Sequence, residues 1–296
     1  MKNENAKTPA RPLLVKVFIL YLRIYFNTCG RLFRKRAAQK AFRIFFSPKR
    51  NPLSPERQAF NDAAVKDYLL FNQQKIRTYS WGNPAQKTVL LVHGWEGTGV
   101  SLAMYAEGLI DKGYRVIGFD GLAHGESPGK QTNMKEHAGL VQAMLKAFPK
   151  TEAIICHSFG GAAAIYALGN MKNHEVKKLL SIASPTRMSL VLENYMKVFA
   201  IPEDLMQLIE QLAYLQYGLS FSKLDPENWL PKIPATRFLF IHDKSDLSVP
   251  YSDAIYLHQK FPATKLISTN GLGHNKILWD KNIKETVINF IASDKI

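Results

Sequence analysis

The sequence predicts an α/β protein: a mostly parallel eight-stranded sheet with helices on both faces, a small helical cap and an N-terminal helical extension. Three observations carry that expectation. Continuous apolar runs, such as Val89-Leu90-Leu91-Val92 and Phe238-Leu239-Phe240-Ile241, suit strands buried on both faces. Segments with helical spacing lie between those runs, and strand–helix alternation builds a sheet covered on both sides. One run also passes directly into a serine and then into small residues that open a helix, Cys156-His157-Ser158-Phe159-Gly160-Gly161.

The chain begins with a basic, apolar segment. Residues 1–50 hold thirteen Lys/Arg and a single acid, Glu4, so they carry +12 of the net +15. Electrostatic claims about partners therefore belong to this segment. Leu13 to Phe26 is apolar apart from Lys16 and Arg23, which share one helical face at a spacing of seven. The run is short and charged for a membrane span and lacks the cleavage site of a secretory signal. Arg31-Leu32-Phe33-Arg34-Lys35-Arg36 and Ala41-Phe42-Arg43-Ile44-Phe45-Phe46 repeat the basic–aromatic mixture. Over residues 11–46 this pattern suits peripheral contact with an anionic membrane. Packing of the same apolar face on the main domain is the other reading, and nucleic acid is the least supported partner. The prolines between Ser47 and Pro55 mark a linker, giving an extension over 1–55 and a main domain over 56–296.

In the main domain the expected strands are Tyr68–Phe71, Lys75–Trp81, Thr88–His93, Arg115–Asp120, Ala153–His157, Lys178–Ala183, Arg237–His242 and Lys265–Thr269. The first two have no helix between them and are expected to pair antiparallel at an edge. Helices are expected over Met134–Phe148, Phe159–Leu168, Tyr251–Phe261 and Asn282–Ile291. Residues 186–236 break the alternation with a Leu-, Met-, Tyr- and Phe-rich stretch too long for a simple connection, and are read as a cap insertion. The composition, 46% hydrophobic and 21% charged, excludes a mostly disordered chain, collagen and a disulfide scaffold. Two distant cysteines, Cys29 and Cys156, fit a reducing compartment.

The strand–Ser158–helix junction carries the strongest chemical signal. A sharp turn there lifts the hydroxyl above the carboxyl edge of the sheet and needs small residues two before and two after the serine. Cys156 and Gly160 occupy those places, which makes a G-x-S-x-G pattern with Cys for the first Gly. With this motif the chain resembles the serine-hydrolase branch of the α/β-hydrolase superfamily over roughly residues 66–296. Other motifs follow in the family's order: His93-Gly94-Trp95 after the third strand, Asp120 to Ser127 after the fourth, Asp246-Leu247-Ser248-Val249-Pro250 after the seventh and Gly271-Leu272-Gly273-His274 after the eighth.

The resemblance implies a Ser158–Asp246–His274 triad, with Asp243 as a competitor for the acid. It also implies an oxyanion hole from the backbone N–H groups of Trp95 and Phe159. A serine hydroxyl attacks only when a base takes its proton. His274 is the expected base and Asp246 its orienting carboxylate. His93, His124 and Asp120 are expected to brace loops, His157 to point into a neighbouring layer, and Cys156 to tilt the elbow. No metal-spaced cluster, P-loop or dinucleotide fingerprint is present in the sequence, so no cofactor and no metal are implied. The expected activity is hydrolysis of a small-molecule carboxylic ester or thioester, with lipid-derived substrates suggested by the apolar cap. Alternatives are acyl transfer, amide or C–C cleavage on the same triad, and a non-catalytic membrane-associated binding protein. The expected location is cytoplasmic, at the inner face of a membrane.

Overall fold

The computed structural model describes residues 13–233 and 236–293. In chain order it runs α1 (Leu13–Asn27), α2 (Cys29–Leu32), α3 (Arg34–Phe45), α4 (Pro55–Ala63), β1 (Val65–Phe71), β2 (Gln74–Trp81) and β3 (Lys87–Val92). Then come α5 (Ala106–Ile110), β4 (Tyr114–Phe119), α6 (Met134–Ala147), β5 (Thr151–His157), α7 (Phe159–Gly169) and β6 (Lys178–Ile182). The chain continues through α8 (Met188–Phe199), α9 (Met206–Tyr217), β7 (Arg237–Asp243), α10 (Tyr251–Lys260), β8 (Lys265–Thr269), α11 (Gly273–Lys276) and α12 (Lys281–Ala292). Two compact units result: Met1–Ser47 with Arg187–Asp225, and Pro48–Thr186 with Pro226–Ile296.

The larger unit is built on one sheet in the order β1-β2-β4-β3-β5-β6-β7-β8. β2 runs antiparallel to both β1 and β4, and every other pairing is parallel. The two first strands thus pair as expected, and β2 is the reversed strand. β5 and β6 are buried along their whole length, and apolar residues fill their centres, Ala153–Cys156 in β5 and Leu179–Leu180 in β6. The edge strand β1 leaves Val65, Tyr68 and Leu70 exposed. Caps define the covering helices. Asn133 and Glu136 form a reciprocal capping box on α6, and Asp280 caps α12 by accepting from the Ile283 N–H.

The expected linker is anchored rather than free. Ser54 caps α4, and the Arg50 guanidinium donates to the carbonyls of His124, Gly125, Ser127 and Gly129. Five N–H donors on one planar group suit such a cage of carbonyls. The main unit therefore begins at Pro48, inside the stretch read as linker.

In the smaller unit the N-terminal arm packs on the insertion: α1 meets α8, and α3 meets α9. Phe42, Phe45, Phe46, Tyr195, Tyr217 and Phe221 form an aromatic cluster with ring centroids 4.6–5.9 Å apart. The Tyr195 hydroxyl donates to the Ala41 carbonyl at 2.8 Å. Of the stretch expected as a cap, residues 187–225 lie in this unit, while 186, 226–233 and 236 lie in the larger one. The arm expected to reach membrane starts at residue 11; residues 11 and 12 lie outside the described residues.

Candidate active site

Three strand ends of the larger unit converge on one hydrogen-bonded chain. β5 ends at His157 and α7 begins at Phe159, which leaves Ser158 to make the whole turn at φ 51°, ψ −129°. A non-glycine residue in this region costs about 1–3 kcal/mol and persists only where its surroundings hold it. Here the Ser158 N–H donates to the Ile182 carbonyl at 2.9 Å. Gly160 is needed because a β-carbon there would fall on the His93 carbonyl oxygen and 2.6 Å from that of Val92. Cys156 fits two residues before the serine, its thiol donating to the Leu180 carbonyl at 3.3 Å. Burial pushes that thiol up to about 12, so it stays protonated and unreactive.

His274 follows β8 and turns both ring nitrogens to partners. Nδ1 lies 2.7 Å from Asp246 Oδ2, and Nε2 lies 3.0 Å from Ser158 Oγ. A carboxylate only accepts, so Nδ1 carries the proton and Nε2 offers a lone pair to the serine hydroxyl. The Asp246 side chain is wholly buried. Burial alone would raise its carboxyl. Hydrogen bonds from His242 and His274, with the His274 charge, instead hold it well below the usual carboxylate range. Its other oxygen accepts from the Ser248 and Val249 N–H groups at 2.8 and 3.0 Å.

Asp243 does a different job. It accepts from Ser245, Thr269 and the Leu272 N–H, which ties the loop after β7 to the loop after β8. These bonds outweigh burial and keep this carboxyl low as well. The loop after β3 brings Trp95 to Phe159, ring centroids 5.2 Å apart and edge to face. Both residues are half-buried. The Phe159 N–H sits at the first position of α7, where helix donors have no partner inside the helix.

Three further histidines and Asp120 brace this frame. His93 Nδ1 donates to the Gly94 carbonyl at 2.7 Å, and Nε2 accepts from the Gly121 N–H at 2.9 Å. His124 Nδ1 donates to the Leu122 carbonyl, and Nε2 accepts from the Glu96 N–H. Asp120 accepts from the Gly99 and Glu126 N–H groups and from the Tyr79 hydroxyl. His157 departs from the expectation that it points into a neighbouring layer. Its Nε2 donates to the His274 carbonyl at 3.0 Å, and its ring lies 4.7 Å from the His274 ring. The positive φ at Ser158 reverses the chain, which leaves the preceding side chain beside the loop after β8.

One buried residue escaped the sequence reading. His137 on α6 packs its ring 4.9 Å from His93, 5.4 Å from Phe159 and 5.6 Å from Phe119. Neither ring nitrogen has a hydrogen-bond partner. Burial, then the neighbouring His124, pushes it down to about 3, and the His93 backbone acts in the opposite sense. The available signal was its place on the apolar face of α6, among Met134, Ala138, Val141 and Leu145. No group of three or more His, Cys, Asp or Glu suited to a metal ion occurs among the described residues.

A family model described as alpha/beta hydrolase fold matches residues 87–209. The chain has the α/β-hydrolase fold. An esterase from Pyrococcus furiosus superposes with a TM-score of 0.63 at 21% identity, covering 83% of this chain and 98% of that one. An esterase from Exiguobacterium antarcticum superposes with a TM-score of 0.61 at 21% identity, covering 77% of this chain and all of that one. At such identities the likeness is one of fold. In sequence, a Mycoplasma pneumoniae protein carrying an esterase/lipase name is 30% identical over 116 residues, 39% of this chain and 42% of that protein. The match thus spans less than half the length of that relative.

Proposed function

We propose that this α/β-hydrolase is a serine hydrolase that cleaves a carboxylic ester or thioester through an acyl-enzyme. The observation that carries the proposal is the Asp246–His274–Ser158 hydrogen-bond chain, with Nε2 of the base facing the serine hydroxyl. In this reading His274 Nε2 takes the Ser158 proton as Oγ bonds to the substrate carbonyl carbon. The carbonyl π electrons move to oxygen, and the Trp95 and Phe159 N–H groups receive that oxyanion. Collapse breaks the bond to the leaving alkoxide or thiolate, which takes the proton from Nε2. A water then repeats the sequence against the acyl-Ser158 ester and releases the acid. Asp246 stabilises the imidazolium formed in each half without taking its proton. Removing one oxyanion donor of this kind costs about 2.7–4 kcal/mol in the transition state.

The esterase names among its relatives support the substrate class. The Leu/Met/Tyr/Phe-rich insertion and the basic arm support lipid-derived acyl groups and a cytoplasmic position at the inner face of an anionic membrane. The test is labelling with a fluorophosphonate probe, located by peptide mass spectrometry, alongside turnover of p-nitrophenyl esters of increasing chain length. Labelling at Ser158 in wild type, with none in Ser158→Ala, is the expected result. A folded protein that neither labels nor turns over any ester overturns the proposal.

A further inference from the structure

The α1 helix is apolar apart from Lys16 and Arg23, which share one face, and two of its apolar stripes differ in burial. Val15, Ile19, Leu22 and Phe26, at i, i+4, i+7 and i+11, form the inward stripe; Leu22 and Phe26 are wholly buried. The helix is fastened along that side. Arg23 Nε donates to the Val198 carbonyl at 3.0 Å, and Asn27 Nδ2 donates to the Ala200 carbonyl at 2.8 Å. Leu13, Val17, Leu20 and Ile24 repeat the same spacing half a turn away and are 75%, 56%, 58% and 56% exposed. Such a stripe in water is the mark of an interaction surface.

A cationic groove belongs to the same arm. At the turn between α2 and α3, an open groove of about 410 Å³ is lined by Leu32, Phe33, Arg34, Lys35 and Arg36. Leu32 and Phe33 are 80% and 56% exposed. No acid pairs with Arg31, Lys35 or Arg36 among the described residues; Arg34 pairs with Asp204 at 2.8 Å. Apolar side chains beside unpaired cations match a surface that is apolar within and anionic at its rim. An anionic bilayer has that layering.

We infer that the Leu13/Val17/Leu20/Ile24 stripe lies in the plane of an anionic bilayer, with the Leu32–Arg36 groove holding phosphate headgroups. The inference rests on the reading of the protein as peripheral to an anionic membrane, and it names the surface and its orientation. By length and composition, Leu13–Leu32 is also long enough to cross a membrane. Crossing would strip Leu22 and Phe26 from their packing and break the Arg23 and Asn27 hydrogen bonds. An in-plane helix keeps these contacts and still buries the outer stripe.

The test is co-flotation of the full chain with phosphatidylcholine vesicles and with vesicles of equal phosphatidylcholine and phosphatidylglycerol. Binding is expected only to the mixed vesicles, and an alkaline carbonate wash should release it. Val17→Asp with Leu20→Asp, and separately Lys35→Glu with Arg36→Glu, should each weaken binding by about tenfold or more, from lost insertion and lost headgroup attraction. Hydrolysis of a short soluble ester and far-UV circular dichroism should stay as in wild type, which reports an intact fold. Ser158→Ala should bind as wild type does, so a failure of docking is distinguishable from a failure of the hydrolase reading. Equal binding to neutral vesicles, no binding at all, retention after carbonate, or wild-type binding by both double variants overturns the inference. So does a concentration-dependent dimer that Val17→Asp with Leu20→Asp dissociates, since the stripe would then be covered by a second copy.

Discussion

Replacing His137 by Phe tests how the imidazoles around the site were buried. Four of them are held neutral. Burial is the largest cause for each: His124 is pushed down to about 4, His137 and His157 to about 3, and His93 well below its ordinary value. An unfolded histidine titrates near 6.5. Between pH 7 and pH 5 the unfolded chain therefore gains about 0.7 proton on each, and the folded chain almost none. Stability is full above the unfolded value and falls as pH drops towards the folded ones. His124, His137 and His157 each lose about 2 kcal/mol over those two pH units, about 6 kcal/mol together, and His93 acts in the same direction. That is comparable to the whole stability of a typical domain, about 5–15 kcal/mol. Asp243 and Asp246, held low, lose their support only in the carboxylate range below this window; Asp120, raised by burial, acts in the opposite sense.

His137→Phe removes one of the four and replaces two unpartnered nitrogens by an apolar ring edge among Phe119 and Phe159. Leaving a buried polar group unsatisfied costs about 1–3 kcal/mol, so the variant should gain about that much at pH 7. Its loss between pH 7 and pH 5 should be smaller than that of wild type by about 2 kcal/mol. Urea unfolding followed by circular dichroism at both pH values measures both quantities. A wild-type stability that is flat over this range, or a variant with the wild-type pH slope, would refute the account.

Two further predictions separate roles within the site. Asp246→Asn should lower kcat by about 10³–10⁴ with the fold intact, because the wrong tautomer of His274 then faces Ser158. Asp243→Asn should instead cost about 1–3 kcal/mol of stability, through lost loop bonds, and leave ester turnover near wild type; equal kinetic losses in the two variants would contradict the assignment. His157→Leu, which frees the His274 carbonyl, should lower kcat by about tenfold, about 1.4 kcal/mol, with KM little changed. His157→Gln restores a donor and should recover part of that loss; if both variants behave alike, the His157–His274 bond does not position the base.

The sheet was legible because buried strands must be continuously apolar and the helices between them amphipathic, and both patterns are local. The serine turn was legible for a similar reason: Ser158 needs small residues two before and two after it, Cys156 and Gly160, and only a strand running straight into small helix residues supplies that spacing. Two acids three positions apart, Asp243 and Asp246, look alike in sequence. Which of them meets His274 depends on how the loops after β7 and β8 fold against each other. His157, His137 and Arg50 found their partners 117, 44 and 74 or more positions away, at His274, His93 and the His124–Gly129 turn.

The N-terminal arm divides the same way. Its charge and apolar content are properties of composition, and they already pointed to a basic amphipathic segment. Because α1 carries two apolar stripes on either side of the Lys16/Arg23 face, its pattern could not say which stripe is covered. Only packing against α8 made Val15, Ile19, Leu22 and Phe26 the inner face and left Leu13, Val17, Leu20 and Ile24 outside. Local sequence thus determines the elements and the chemistry available at their ends. Contacts between residues far apart in the chain, which no local period encodes, decide which of those groups meet.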